Sequence, residues 1–136
     1  MADLLELEIA TPARQLVHEQ VSDVQIPGKD GYLGILPGHA ALLGLLGAGA
    51  LSYAAGGGGP RRYLAIDGGF LEVLEDHVRV LADSAERAED IDVERARSDL
   101  QRAQEQLAST AADADPVVAL AAVNHAQARI DAVERR

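Results

Sequence analysis

Three arginines and a histidine in the last third of the chain form the pattern best suited to chemistry. Arg95 and Arg102 stand seven positions apart in one stretch of helical periodicity, and His125 and Arg129 stand four apart in a second. On the first helix the guanidiniums lie about 110 to 130° round from the apolar stripe, and on the second the offsets are about 80 to 120° in the same sense. If the helices run antiparallel about a turn centred near residue 112, all four side chains gather on one flank. Arg95 then lies level with Arg129, and His125 falls between Arg95 and Arg102. Such a cluster asks for an anion with several oxygens, and a triphosphate suits it. The same residues allow a second outcome: Asp99 follows Arg95 by four and precedes Arg102 by three. Intrahelical ion pairs can therefore satisfy both arginines on a solvated face.

Other chemistry finds little support. The chain has no cysteine, which excludes disulfides, Cys-ligated zinc, iron–sulfur clusters and thiol catalysis. His18, His39, His77 and His125 lack metal-ligand spacing, so no metal site is expected. No Gly-x-Ser-x-Gly elbow occurs either. The run Gly56 to Gly59 before Pro60 is not followed by Lys-Ser or Lys-Thr, so it reads as a flexible hairpin tip rather than a phosphate cradle.

Twelve Lys and Arg against 22 Asp and Glu give a net charge of −10, which argues against nucleic acid and anionic lipid and favours a basic protein partner. The apolar tract from Ala40 to Ala55 has three glycines and falls short of the roughly 20 residues a spanning helix needs. Met1 to Leu7 holds two acids and no base, unlike a signal or transit peptide, so the chain is expected to begin here.

The elements that must position these groups follow from periodicity. Leu5, Leu7 and Ile9 alternate with Glu6 and Glu8, the pattern of a half-buried strand. Leu16 and Val17 suggest a second short strand, and Val24 and Ile26 a third that Pro27-Gly28 ends. The three-residue step from Val21 to Val24 hints at a bulge. Lys29-Asp30-Gly31 reads as a turn. The stretch from Gly31 to Leu43 reads as turn, strand and turn, because glycine or Pro37 interrupts its apolar residues every few positions. Leu42 to Leu46 is expected to be extended. Leu51 with Tyr53 and Tyr63 to Ile66 form one hairpin, Asp67-Gly68-Gly69 turns again, and Phe70 to Leu74 with Val78 to Leu81 form another around Asp76.

After Glu86 the apolar period changes to about 3.5 residues. Val93, Ala96, Leu100, Ala103 and Leu107 mark one helix, and Ala119, Val123, Ala126, Ile130 and Val133 a second. Asp90 or Asp92 caps the first, and Asp115 caps the second with Pro116 at its first position. The short linker predicts an antiparallel pair. The fold class is therefore α+β: an N-terminal β-sandwich, a flattened barrel of short antiparallel strands over residues 1–86, then a two-helix hairpin over 87–136. Stripes so rich in alanine bury little area, so the hairpin must lean on the sandwich, a partner or a ligand.

Four segments in order give the chain a wider resemblance: Gly31-Tyr32-Leu33-Gly34-Ile35-Leu36-Pro37-Gly38-His39-Ala40, Asp67-Gly68-Gly69-Phe70-Leu71-Glu72-Val73, Val80-Leu81-Ala82-Asp83-Ser84-Ala85-Glu86, and the two-helix tail. Together they resemble the epsilon subunit of the F-type ATP synthase of bacteria and chloroplasts. The resemblance implies a non-catalytic central-stalk subunit whose sandwich touches the gamma subunit and the membrane ring of proteolipid subunits. The hairpin lies folded on the sandwich or extends toward the alpha/beta catalytic head, where it restrains ATP hydrolysis. The implied place is the cytoplasmic face of a bacterial plasma membrane, or the stromal face of a thylakoid, peripheral and not spanning.

On that resemblance Lys29, Asp30, Gly31, Tyr32, Leu33 and His39 face the ring. Family members often carry an acid where Tyr32 stands, and Asp30 is the neighbouring substitute. Ile91-Asp92-Val93-Glu94-Arg95-Ala96 matches the Ile/Leu-Asp-x-x-Arg-Ala pattern of ATP-binding relatives. It adds Ile91, Asp92 and Ala96 to Arg95, Arg102, His125 and Arg129 as a regulatory ATP site, with no catalytic cofactor. Some ATP-binding relatives have arginine at the position of His125, which implies weaker binding here, or binding that strengthens as pH falls. The competing reading is a free-standing ATP-sensing module with no part in rotation.

Overall fold

The computed structural model describes residues 3–136. Seven strands come first: β1 (Leu5–Ala10), β2 (Gln15–Gly28), β3 (Gly31–Ile35), β4 (Leu42–Leu45), β5 (Ala48–Ala55), β6 (Arg61–Leu74) and β7 (His77–Arg87). They pair in the order β1-β7-β6-β5-β2-β3, with β4 on β6, and a further β1–β2 pairing closes the circuit. The result is the expected β-sandwich in the form of a flattened barrel, followed by α1 (Val93–Ala108) and α2 (Pro116–Arg135).

Several details differ from the expected short antiparallel strands. The residues expected to form two strands between Leu16 and Ile26 form the single strand β2, whose register against β5 slips between Val21 and Asp23, where the spacing hinted at a bulge. One pairing, β1 with β7, is parallel. Asp67-Gly68-Gly69 is no turn: β6 runs through it, changing partner from β5 to β4 while staying on β7. Gly68 and Gly69 have φ of 72° and 111°, and a Cβ on Gly69 would sit 2.1 Å from the Leu81 carbonyl oxygen. Glycine therefore bends the strand round a corner of the sandwich instead of reversing it. The reversal comes at Glu75-Asp76, both at positive φ, in the two-residue turn that hairpins favour.

The core is built from large aliphatics: Leu5, Leu7 and Ile9 of β1 interlock with Val21, Val24, Ile26, Leu51, Ile66, Leu71 and Val80, all fully buried. The hairpin docks through α2, which lies against β5 and β6, while α1 packs on α2. Beneath α2 is a second, separate cluster of Ala50, Ala65, Ala88, Ala128 and Ala132. Asp92 caps α1, accepting from the Arg95 backbone N–H at 3.1 Å, and Asp115 caps α2, accepting from Val117 and Val118.

Candidate functional site

Arg102, His125 and Arg129 lie on one side of the hairpin, and carboxylates already answer two of the tail's four cations closely. Arg129 Nε and Nη2 donate to the two oxygens of Glu86 on β7, at 2.9 and 3.4 Å. Its Nη1 stands 3.8 Å from Asp99. His125 Nδ1 is 2.8 Å from Asp67 Oδ2 at the corner of β6. Arg102 lies 3.6 Å from Asp99 and shares with His125 an open depression of about 340 Å³, completed by Asp99, Gln106 and Ala122. Arg95 is exposed and among the described residues makes no ion pair.

The residues round Arg95 in its motif have structural work. Ile91 packs into the alanine cluster, Asp92 is the α1 cap, and Ala96 is fully buried. The first turn of α1 thus holds Arg95 at a fixed place with its guanidinium in solvent. Both Glu86 and Asp67 escaped the sequence reading as partners, because nothing in chain spacing says that these side chains of β7 and β6 reach α2. The second face of α2, Ala128 and Ala132, escaped for a related reason: alanines flanked by polar residues make no visible stripe.

Lys29 and Asp30 form the exposed tip of the β2–β3 hairpin, where Gly28 pairs with Gly31. With Gly31, Tyr32 and Leu33 they line a depression of about 430 Å³ whose far wall is Leu43 to Leu45. His39 does not join them. It follows the Pro37-Gly38 turn at the opposite end of β3, and the Gly38 N–H donates to Asp76 Oδ1 at 2.7 Å, tying that turn to the β6–β7 reversal. Gly34 and Ile35 of β3 and the turn from Leu36 to Gly38 lie between Leu33 and His39.

Tyr32 turns toward the hairpin. Its hydroxyl accepts from the Ala50 N–H at 3.0 Å, and the Arg135 guanidinium lies 5.9 Å from its ring centre, within cation–π range. Gly49 makes room for it, since a Cβ there would come within 2.5 Å of the Tyr32 hydroxyl.

An exposed apolar row completes the surface. Leu45, Phe70 and Leu81 stand opposite one another on β4, β6 and β7, each at least half exposed, and Leu43 beside them is 74% exposed. Phe70 and Leu81 alternate with buried Leu71, Val80 and Ala82, so β6 and β7 are apolar on both faces there. That doubled pattern in Leu42 to Leu46 and Phe70 to Leu74 was the available signal of an exposed apolar surface.

Comparison with known proteins agrees along the whole chain. Residues 4–88 match the family "ATP synthase, Delta/Epsilon chain, beta-sandwich domain", and residues 89–134 match "ATP synthase, Delta/Epsilon chain, long alpha-helix domain". The ATP synthase epsilon chain of Solibacter usitatus (strain Ellin6076) is 57% identical over 136 residues, all of both chains. That of Koribacter versatilis (strain Ellin345) is 50% identical over 107 residues, 79% of this chain and 74% of the relative. In fold, the chain resembles one in the Euglena gracilis mitochondrial ATP synthase (OSCP/F1/c-ring) with a TM-score of 0.81 at 24% identity, over 91% of this chain and 78% of that one. A chain of the Tetrahymena thermophila mitochondrial ATP synthase central stalk and c-ring gives 0.56 at 14% identity, over 96% and 94%. The chain belongs to the delta/epsilon chain family of the ATP synthase, as an epsilon-type, accessory chain and not a catalytic one.

Proposed function

We propose that this chain is a rotor subunit of a proton-translocating F-type ATP synthase, coupling the gamma subunit to the proteolipid ring and restraining ATP hydrolysis through its C-terminal hairpin. The single observation that carries the reading is the way the hairpin is held. It docks on alanines and two polar clasps, Arg129 to Glu86 and His125 to Asp67, and its free end leaves Leu107, Val117, Val118 and Leu120 exposed. An element with weak docking and bare apolar residues is suited to a second position against another surface, here the alpha/beta catalytic head.

The apolar row Leu43, Leu45, Phe70 and Leu81 is the surface we assign to gamma. The β2–β3 tip from Lys29 to Leu33 is the part we assign to the ring; His39 would have to reach it from the far end of β3. No helix of the described residues is long and apolar enough to cross a membrane, and the proposed place is peripheral, on the cytoplasmic face of a bacterial plasma membrane.

ATP is the proposed regulatory ligand of the tail. Exposed Arg95 and Arg102 are the available phosphate partners, while Arg129 and His125 must exchange Glu86 and Asp67 for phosphate oxygens. ATP would then hold the folded hairpin by bridging α1 and α2. The test is the ATP synthase assembled with a chain lacking residues 88–136. Hydrolysis is expected to rise relative to the full chain; unchanged hydrolysis by an assembled complex contradicts the restraint and leaves coupling standing. Titration calorimetry of the full chain with ATP, repeated for Arg95→Ala, separates the ligand from the restraint.

A further inference from the structure

We propose that Glu6, Glu8, His18 and His77 form a binding site for a divalent transition-metal cation of the zinc type, on the outer face of the barrel. The backbone sets the arrangement before any rotamer is chosen. Glu6 and Glu8 stand two apart on β1 and so share its outer face. In the pairing, Glu8 is opposite His18 on β2, and Glu6 is opposite His77 on β7. One imidazole therefore flanks the pair of carboxylates on each side. The 58 residues between His18 and His77 hid this from chain spacing, because a parallel β1–β7 pairing joins the two ends of the barrel domain.

The side chains converge. His18 Nε2 lies 3.5 Å from both Glu6 Oε2 and Glu8 Oε1, and His77 Nε2 lies 3.2 and 3.5 Å from the same two oxygens. A tetrahedral zinc ion with ligands at its usual bond lengths holds neighbouring donor atoms about 3.3 to 3.6 Å apart, so the four imidazole–carboxylate separations match four of the six edges of that polyhedron. Glu6, Glu8 and His18 each offer a donor atom within 4.8 Å of the others; His77, close to both glutamates, is the proposed fourth ligand and would swing toward His18 on binding.

Two further observations point to a ligand. His77 Nε2 is buried and, despite the nearness of Glu6, has no hydrogen-bond partner. An imidazole nitrogen left so is poised to donate its lone pair. Arg79, opposite Glu8 on β7, donates through Nε to Glu8 Oε2 at 3.2 Å. That bond orients the carboxylate and leaves Oε1 turned toward the imidazoles, as outer-shell partners do for metal ligands. Imidazole and carboxylate together suit zinc or copper and not magnesium, which prefers oxygen and water.

The test is titration calorimetry of the full 136-residue chain with zinc chloride after dialysis against a chelator, independent of its role in the stalk. One zinc per chain is expected, with affinity falling at least about tenfold in His18→Gln and again in His77→Gln. Both variants are on the barrel's outer face, and circular dichroism checks that they fold. In proton–nitrogen spectra, zinc should move the Nε2 resonances of His18 and His77 and leave those of His39 and His125. No binding, equal affinity for magnesium, or unchanged affinity in the double variant overturns the site.

Discussion

The barrel core and the seam beneath α2 are both buried, yet different side chains fill them. Leu7, Ile66 and Leu71 lose all their exposure in the core, and each such side chain contributes about 1.5 to 3 kcal/mol on burial. Ala50, Ala65, Ala128 and Ala132 lose theirs in the seam, with one methyl each and about 0.8 kcal/mol per carbon. Equal burial thus gives unequal strength. The barrel is a fixed platform, and the hairpin is an element whose docking a partner or ligand can outweigh.

Substitutions can break that contrast from either side. The largest effect is expected for Leu71→Ala, which empties the centre of the core where β6 meets β7. It should cost about 2 to 5 kcal/mol, read as a lower urea midpoint for the whole barrel.

Tyr53 gives the barrel an alkaline limit. Burial, with the hydrogen bond and charge of Glu19, pushes its hydroxyl up to about 12, against about 10 in an unfolded chain. The folded state keeps the proton that the unfolded state loses, so the contribution is complete below pH 10 and is lost as pH rises through about 12. Tyr53→Phe should flatten the fall in the urea midpoint over that window, an effect of less than about 3 kcal/mol.

Ala132→Leu overfills the seam and should weaken docking by about 1 to 3 kcal/mol. Limited proteolysis should cut residues 93–135 faster while the barrel midpoint stays put. A fall in the barrel midpoint instead would mean that seam and core are one unit.

Most of the fold was legible in the sequence because alternation and helical spacing are local signals. Leu5-Glu6-Leu7-Glu8-Ile9 could only be a half-buried strand, and Asp115-Pro116 could only open a helix. Asp67-Gly68-Gly69 was misread as a turn because two glycines at positive φ serve a bend in a strand as readily as a reversal. The site was legible in part. Arg102, His125 and Arg129 do lie on one side of the hairpin, but their carboxylate partners Asp67 and Glu86 come from strands distant in sequence. The same long-range pairing brought His18 and His77 to one pair of glutamates. His39 was grouped with Lys29 to Leu33 by the family resemblance; in the fold it follows the Pro37-Gly38 turn, which Asp76 holds through the Gly38 N–H.

Native-state hydrogen exchange of the full chain tests the central claim, that the hairpin opens as a unit separate from the barrel. The amides of α1 and α2 are predicted to exchange through a shared opening that requires less free energy than the global unfolding exposing β6 and β7. Exchange of the α2 amides only in step with those of β6 and β7 would contradict it.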